Sequence, residues 1–177
     1  MEKWLSKLKD NKIVAIILYA RFPSEMAYGN HIIQIAKSFV NNGCEVNIYY
    51  PKTYNKKTIN EKPKNYYQVN QNINFFEVNN LDITSSKFYE LMPLIFQKFF
   101  YTLNTFIWSK KLIKNFKGEQ IAWSTNPNIL RAIYKALDKV VYEKHGQARY
   151  LQKVSINFLS KKDNFFPVAL TKQSRIE

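Results

Sequence analysis

The chain is poor in the residues that most enzyme signatures are built from. Its 177 residues include four glycines, one cysteine and two histidines. The glycines (Gly29, Gly43, Gly118 and Gly146) form no G-x-G-x-x-G run, so the pyrophosphate fingerprint of dinucleotide-binding proteins is absent, as is the P-loop. Gly-x-Ser-x-Gly does not occur, which removes the nucleophile elbow of the α/β-hydrolases. Cys44 alone cannot close an internal disulfide, and nothing in cysteine usage argues for an oxidising compartment. It reads as a small buried hydrophobe at the start of a strand. One cysteine with two histidines gives no zinc-ligand spacing, and Asp10, Asp82, Asp138 and Asp163 stand too far apart for an Asp-x-Asp metal clamp. No apolar run approaches the roughly 20 residues of a membrane span: the most apolar stretch, Leu91 to Trp108, is interrupted by Gln97, Lys98 and Asn104. Met1 to Asn11 mixes charges with Trp4, Leu5 and Leu8 and lacks the apolar centre of a signal peptide. The expectation is a cytoplasmic protein.

What is abundant is positive charge and aromatic surface. Lys and Arg number 27 against 13 Asp and Glu, a formal net charge of +14, and 16% of residues are aromatic. Such a surface attracts nucleic acid, anionic headgroups or phosphorylated ligands. The basic residues are dispersed and match no nucleic-acid-binding motif, so no nucleic-acid partner is expected, while a non-catalytic module for anionic ligands or membranes, and behind it a basic nucleic-acid-binding protein, stay open as alternative readings. With 46% hydrophobic residues the chain has the composition of one folded domain.

Hydrophobic periodicity organises that domain. Lys12–Tyr19 is a short β-branched run, as in a strand buried on both faces. Apolar residues at helical spacing from Ile32 to Val40 end at Asn41-Asn42-Gly43, and Glu45–Tyr50 reads as a second strand closed by Pro51. Pro51 to Gln71 is a lysine- and asparagine-rich loop. Ile73–Val78, Gln120–Ser124, Lys139–Tyr142 and Phe165–Leu170 are the remaining strands, with Pro167 placing the last at an edge. Between them, Ser85 or Ser86 caps a helix that runs toward Phe116 and is kinked or split by Pro93. Asn126 caps a second helix with Pro127 at its first position, and Ala148–Leu159 forms a third. Six strands alternating with helices predict an α/β, Rossmann-like doubly wound and mostly parallel sheet with helices on both faces.

In such a sheet ligands bind outside the carboxyl ends of the strands. The loop Arg21 to His31 follows the first strand and delivers Gly29 to a helix N-terminus, where backbone N–H groups favour anions; equally, Gly29 could only relieve backbone strain there. Tyr142-Glu143-Lys144-His145-Gly146 sets a carboxylate, an ammonium and an imidazole at the end of the fifth strand. His145 could donate to a sugar hydroxyl or accept a proton, or be a structural histidine; Glu143 could instead pair with Lys144 or Arg149. Thr125 lies at the end of the fourth strand.

These residues resemble a family. Arg21, Pro23-Ser24-Glu25, Gly29, Ala36 to Phe39, Gly43-Cys44-Glu45-Val46 and Pro51 are similar to the opening of GT-B glycosyltransferases of the family-4 type. Val140 to Gly146 resembles that family's V-V-Y-E-x-H-G after the fifth strand, and Val168 to Thr171 resembles the strand before its interdomain crossover. The resemblance implies one GT-B half, the N-terminal acceptor-side domain, with the donor-binding C-terminal domain and its Glu-x7-Glu pair missing from this sequence. It implies sugar transfer from a nucleotide-sugar co-substrate to an acceptor hydroxyl, with retention, without a bound metal or other cofactor, and not by this chain alone. Gly29 and Asn30 would lie near the donor diphosphate and His145 at the transferred sugar, with Arg21, Ser24, His31, Glu143, Gly146 and Thr125 lining the substrate cleft. The partners implied are a sugar acceptor, lipid-linked in many members, and the missing donor domain or a second chain. The aromatic, lysine-rich segment Ser85 to Lys117 would suit either an anionic membrane surface on the cytoplasmic face or a kinked core helix with a solvated lysine face.

Overall fold

The computed structural model describes residues 12–52, 59, 61–69, 72–81, 86–145 and 147–169. The readings made for Met1 to Asn11, Ser85, Gly146 and the stretch from Leu170 onward lie outside the described residues.

Six strands form one sheet: β1 (Ile13–Ile17), β2 (Glu45–Pro51), β3 (Ile73–Val78), β4 (Ile121–Ser124), β5 (Lys139–Lys144) and β6 (Phe165–Ala169). Their order is β3-β2-β1-β4-β5-β6 and every pairing is parallel. This is the doubly wound order, whose switch point falls between β1 and β4. Pro167 sits in β6 at the sheet edge, where its missing N–H breaks no inner ladder.

The strands were legible because parallel strands covered on both sides are apolar on both faces. In β1, Val14 and Ile16 face one core layer and Ala15 and Ile17 the other. The first layer is covered by α1 (Ala27–Asn41) through Ile32, Ile33, Ile35, Ala36 and Phe39. Its end is a Schellman turn: Cys44 N–H bonds Phe39 O, Gly43 N–H bonds Val40 O, and Gly43 takes φ of 77°. The second layer is covered by α4 (Leu94–Leu112), α5 (Pro127–Ile133) and α6 (Tyr150–Leu159), which contribute Trp108, Leu112, Ile129, Ile133 and Leu159.

The expected helix from Ser86 is split as Pro93 dictates, into α3 (Lys87–Leu91) and α4, because proline cannot donate into the ladder. Ser86 Oγ accepts from Tyr89 N–H, and Asn126 Oδ1 from Asn128 N–H ahead of Pro127. The basic loop after β2 holds a short helix that periodicity did not reveal, α2 (Pro63–Tyr66), one turn long and started by proline.

A candidate site at the carboxyl edge

Strand parity aims the carboxylate of Glu143. In β5, Val140 and Tyr142 belong to the layer under α4–α6, and Val141 to the layer under α1. Glu143 shares the parity of Val141 and therefore points toward α1. There His31, one turn into α1, meets it: His31 Nε2 lies 3.2 Å from Glu143 Oε1 and 3.4 Å from Oε2. His145, two residues beyond Glu143, returns over the same carboxylate with Nε2 3.6 Å from Oε2. The imidazoles stand edge to face, centroids 5.4 Å apart, and His31 also flanks Trp123 on β4.

Burial makes the cluster unusual. The Glu143 side chain is 0% exposed, against 32% and 43% for His31 and His145. A carboxylate removed from water needs partners that offset its desolvation. Among the described residues, only the two imidazoles are placed against its oxygens. With Glu143 ionised, an imidazole bonded to it donates through Nε2–H, leaving Nδ1 as an acceptor. One ligand atom from each of the three residues lies within 4.8 Å of the other two, close enough to surround a single ion.

The loop after β1 is fastened by Tyr67, just past α2. Its hydroxyl accepts from Ser24 N–H and donates to Ser24 O, both at 2.9 Å. Burial is the main reason the Tyr67 phenol is raised above its usual pKa. A Cβ on Gly29 would stand 2.2 Å from that hydroxyl and 2.8 Å from Ser24 O. Gly29 is therefore required by this clasp, whatever lies outside it. Ser24 is buried, and its Oγ accepts from Met26 N–H. Met26, at the N-cap of α1, supplies no side-chain cap. The helix begins with backbone donors and without a competing carboxylate in its first turn.

The other expected residues divide. Arg21 is held by Glu25 four residues on, and its carbonyl accepts from the Tyr28 hydroxyl. Asn30 is exposed on α1, and Thr125 is partly exposed between β4 and α5. Ser124, the first residue of the segment expected to matter after the fourth strand, closes the switch point: Ser124 Oγ donates to Ile17 O and accepts from Asn126 N–H. Its signal was its place, directly after the apolar run of β4.

A second buried polar group lies under α4. Glu119 accepts from Asn47 Nδ2 at 2.7 Å and from the Tyr49 hydroxyl through Oε1, and from Lys117 N–H through Oε2. Burial, then the hydrogen bond and charge of Glu119, push the Tyr49 phenol far above its usual pKa. This network braces β2 against the start of β4.

No helix among the described residues is long and apolar enough to cross a membrane. The α4 helix nevertheless differs from a kinked core helix. Only Asn104, Thr105, Trp108, Ser109 and Leu112 are buried, all in its C-terminal half. Ahead of them, Leu91 (83% exposed), Leu94, Ile95 (74%), Phe96 and Phe99 face outward. Comparison with known proteins adds no identity: no family model matches the chain, and no curated protein matches it.

Proposed function

We propose that this chain is the acceptor-side domain of a retaining GT-B glycosyltransferase, probing a sugar acceptor with the cluster at the carboxyl edge. The observation that carries the proposal is the convergence of His31, Glu143 and His145 beside the switch point of a β3-β2-β1-β4-β5-β6 sheet. That is the place where doubly wound domains bind ligands. Two half-exposed imidazoles held through Nε2 on a buried carboxylate turn Nδ1 outward as an oriented acceptor for hydroxyl groups.

In the reaction, an acceptor oxygen forms a new bond to the anomeric carbon as the bond from that carbon to the nucleoside diphosphate breaks. His145 contacts hydroxyls of the transferred sugar, and Glu143 fixes the imidazole's orientation. The departing diphosphate is negative, and the uncapped start of α1 at Ala27 to Asn30 is the nearby element of matching polarity. The donor-binding half comes from outside the described chain, and neither a metal nor a resident cofactor enters this scheme. The exposed apolar end of α4, with Lys98 among its aromatics, supports peripheral docking on an anionic membrane carrying a lipid-linked acceptor.

The test is direct binding of nucleotide-sugars, acceptor glycans and anionic vesicles to the purified chain at low and physiological salt. The proposal expects glycan binding that His145→Ala weakens, salt-sensitive vesicle binding, and no tight nucleotide-sugar binding. Tight, saturable nucleotide-sugar binding by this chain alone would mean that it is not the acceptor side.

A further inference from the structure

We infer that His31, Glu143 and His145 form a binding site for one zinc-class divalent cation, a property that the sugar-transfer reading does not require. Zinc sites pair imidazole nitrogens with a carboxylate oxygen, and a two-histidine, one-carboxylate set leaves a coordination position open. With bonds of about 2.0–2.1 Å, ligand atoms around a tetrahedral zinc stand about 3.3 Å apart. The two His31 separations, 3.2 and 3.4 Å, straddle that value, and His145 at 3.6 Å lies slightly outside it. The ligand atoms of all three residues fall within 4.8 Å of one another. Closing the set needs movement chiefly of His145, the most exposed of the three and placed beyond the end of β5.

Electrostatics favours the same ligand. Glu143 is a fully buried carboxylate whose placed partners are two groups that carry charge only when protonated. A divalent ion placed against the buried carboxylate would offset its desolvation, and an imidazole ligates through a nitrogen lone pair. Softness also fits: imidazole nitrogen with one carboxylate suits zinc and its neighbours, whereas magnesium and calcium prefer an all-oxygen shell. The partial exposure of both histidines gives the ion a way in and leaves its remaining position to water. Because the ion would take Nε2 as a lone-pair ligand, its binding moves the imidazole proton to Nδ1 and turns that outward atom from acceptor to donor.

The experiment uses the untagged chain, stripped with a chelator, and titrates Zn2+ against a chromophoric competitor. Co2+ serves as a spectroscopic stand-in. The expected result is one Zn2+ per chain, intense visible absorption of tetrahedral Co2+, and affinity at least about tenfold weaker in both His31→Ala and His145→Ala. Both histidines are partly exposed, so circular dichroism should show both variants folded; Glu143→Gln is a third variant. Absence of stoichiometric Zn2+ binding, or unchanged affinity in the two folded histidine variants, would overturn the inference. Neither outcome bears on glycan binding, which is measured separately in metal-free buffer.

Discussion

Replacing Gly29 by alanine separates a glycine kept for packing from one kept for a ligand. By helix propensity alone, Gly→Ala inside α1 would stabilise the chain by about 1 kcal/mol. The local packing opposes this. The new Cβ would stand 2.2 Å from the Tyr67 hydroxyl and 2.8 Å from Ser24 O, and neither distance is tolerable. Relief requires Tyr67 to withdraw, which breaks both of its bonds to Ser24. Overpacking of this kind costs about 1–3 kcal/mol, and each lost buried hydrogen bond adds about 1 kcal/mol. After the propensity gain, a net loss of about 2–4 kcal/mol is expected, or about 4–16 °C in Tm for a chain of this size. A double-mutant cycle by urea denaturation, followed by circular dichroism, locates the cause. Tyr67→Phe removes the hydroxyl, so Gly29→Ala should cost less in that background, with a coupling of about 0.5–1.5 kcal/mol. Relief stays partial because Ser24 O remains. A Gly29→Ala chain as stable as the parent, or costs that simply add, would refute the packing argument.

Glu119→Ala removes the acceptor of Asn47, Tyr49 and Lys117 and should cost about 3 kcal/mol or more in urea unfolding, with Glu119→Gln milder. Alkaline titration should also unfold the chain. Burial, with the charge of Glu77, pushes the Tyr50 phenol up to about 12, and Tyr49 is raised further. A phenol raised in the folded state contributes stability below the unfolded value near 10, and that contribution is lost as pH climbs toward 12. Stability measured by urea titration at successive pH values should therefore be insensitive to these phenols below pH 10 and fall above it. Finally, Ile95→Glu and Phe99→Glu, both on the exposed end of α4, should weaken binding to anionic vesicles at least about tenfold while leaving thermal melting unchanged.

The strands were readable because parallel, doubly covered strands are short apolar runs, and Ile73–Val78 coincides with its expected span. Caps were readable for a similar local reason: Ser86, and Asn126 before Pro127, act through bonds two or three residues away. Glu143 and His145 drew attention by standing at a strand end, and His31 by ending the first loop. Their convergence was not legible as spacing, since His31 and Glu143 are 112 positions apart. Strand parity could have found it, because Glu143 follows Val141 onto the α1 face. The Tyr67 clasp was hidden in a segment read as loop, where one proline-started turn is too short to show a period. Glu119 belonged to no motif at all, and only the fold brings Asn47 and Tyr49 over it.

The most direct measurement is a long-range 1H–15N spectrum of the chain labelled at histidine, recorded for the parent and for Glu143→Gln. With only His31 and His145 present, two sets of ring signals are expected. If both imidazoles rest on one buried carboxylate, Glu143→Gln shifts both sets, and both respond when an acceptor glycan or Zn2+ is added. Ring signals that ignore the substitution would contradict the shared carboxylate, and with it the site on which the account depends.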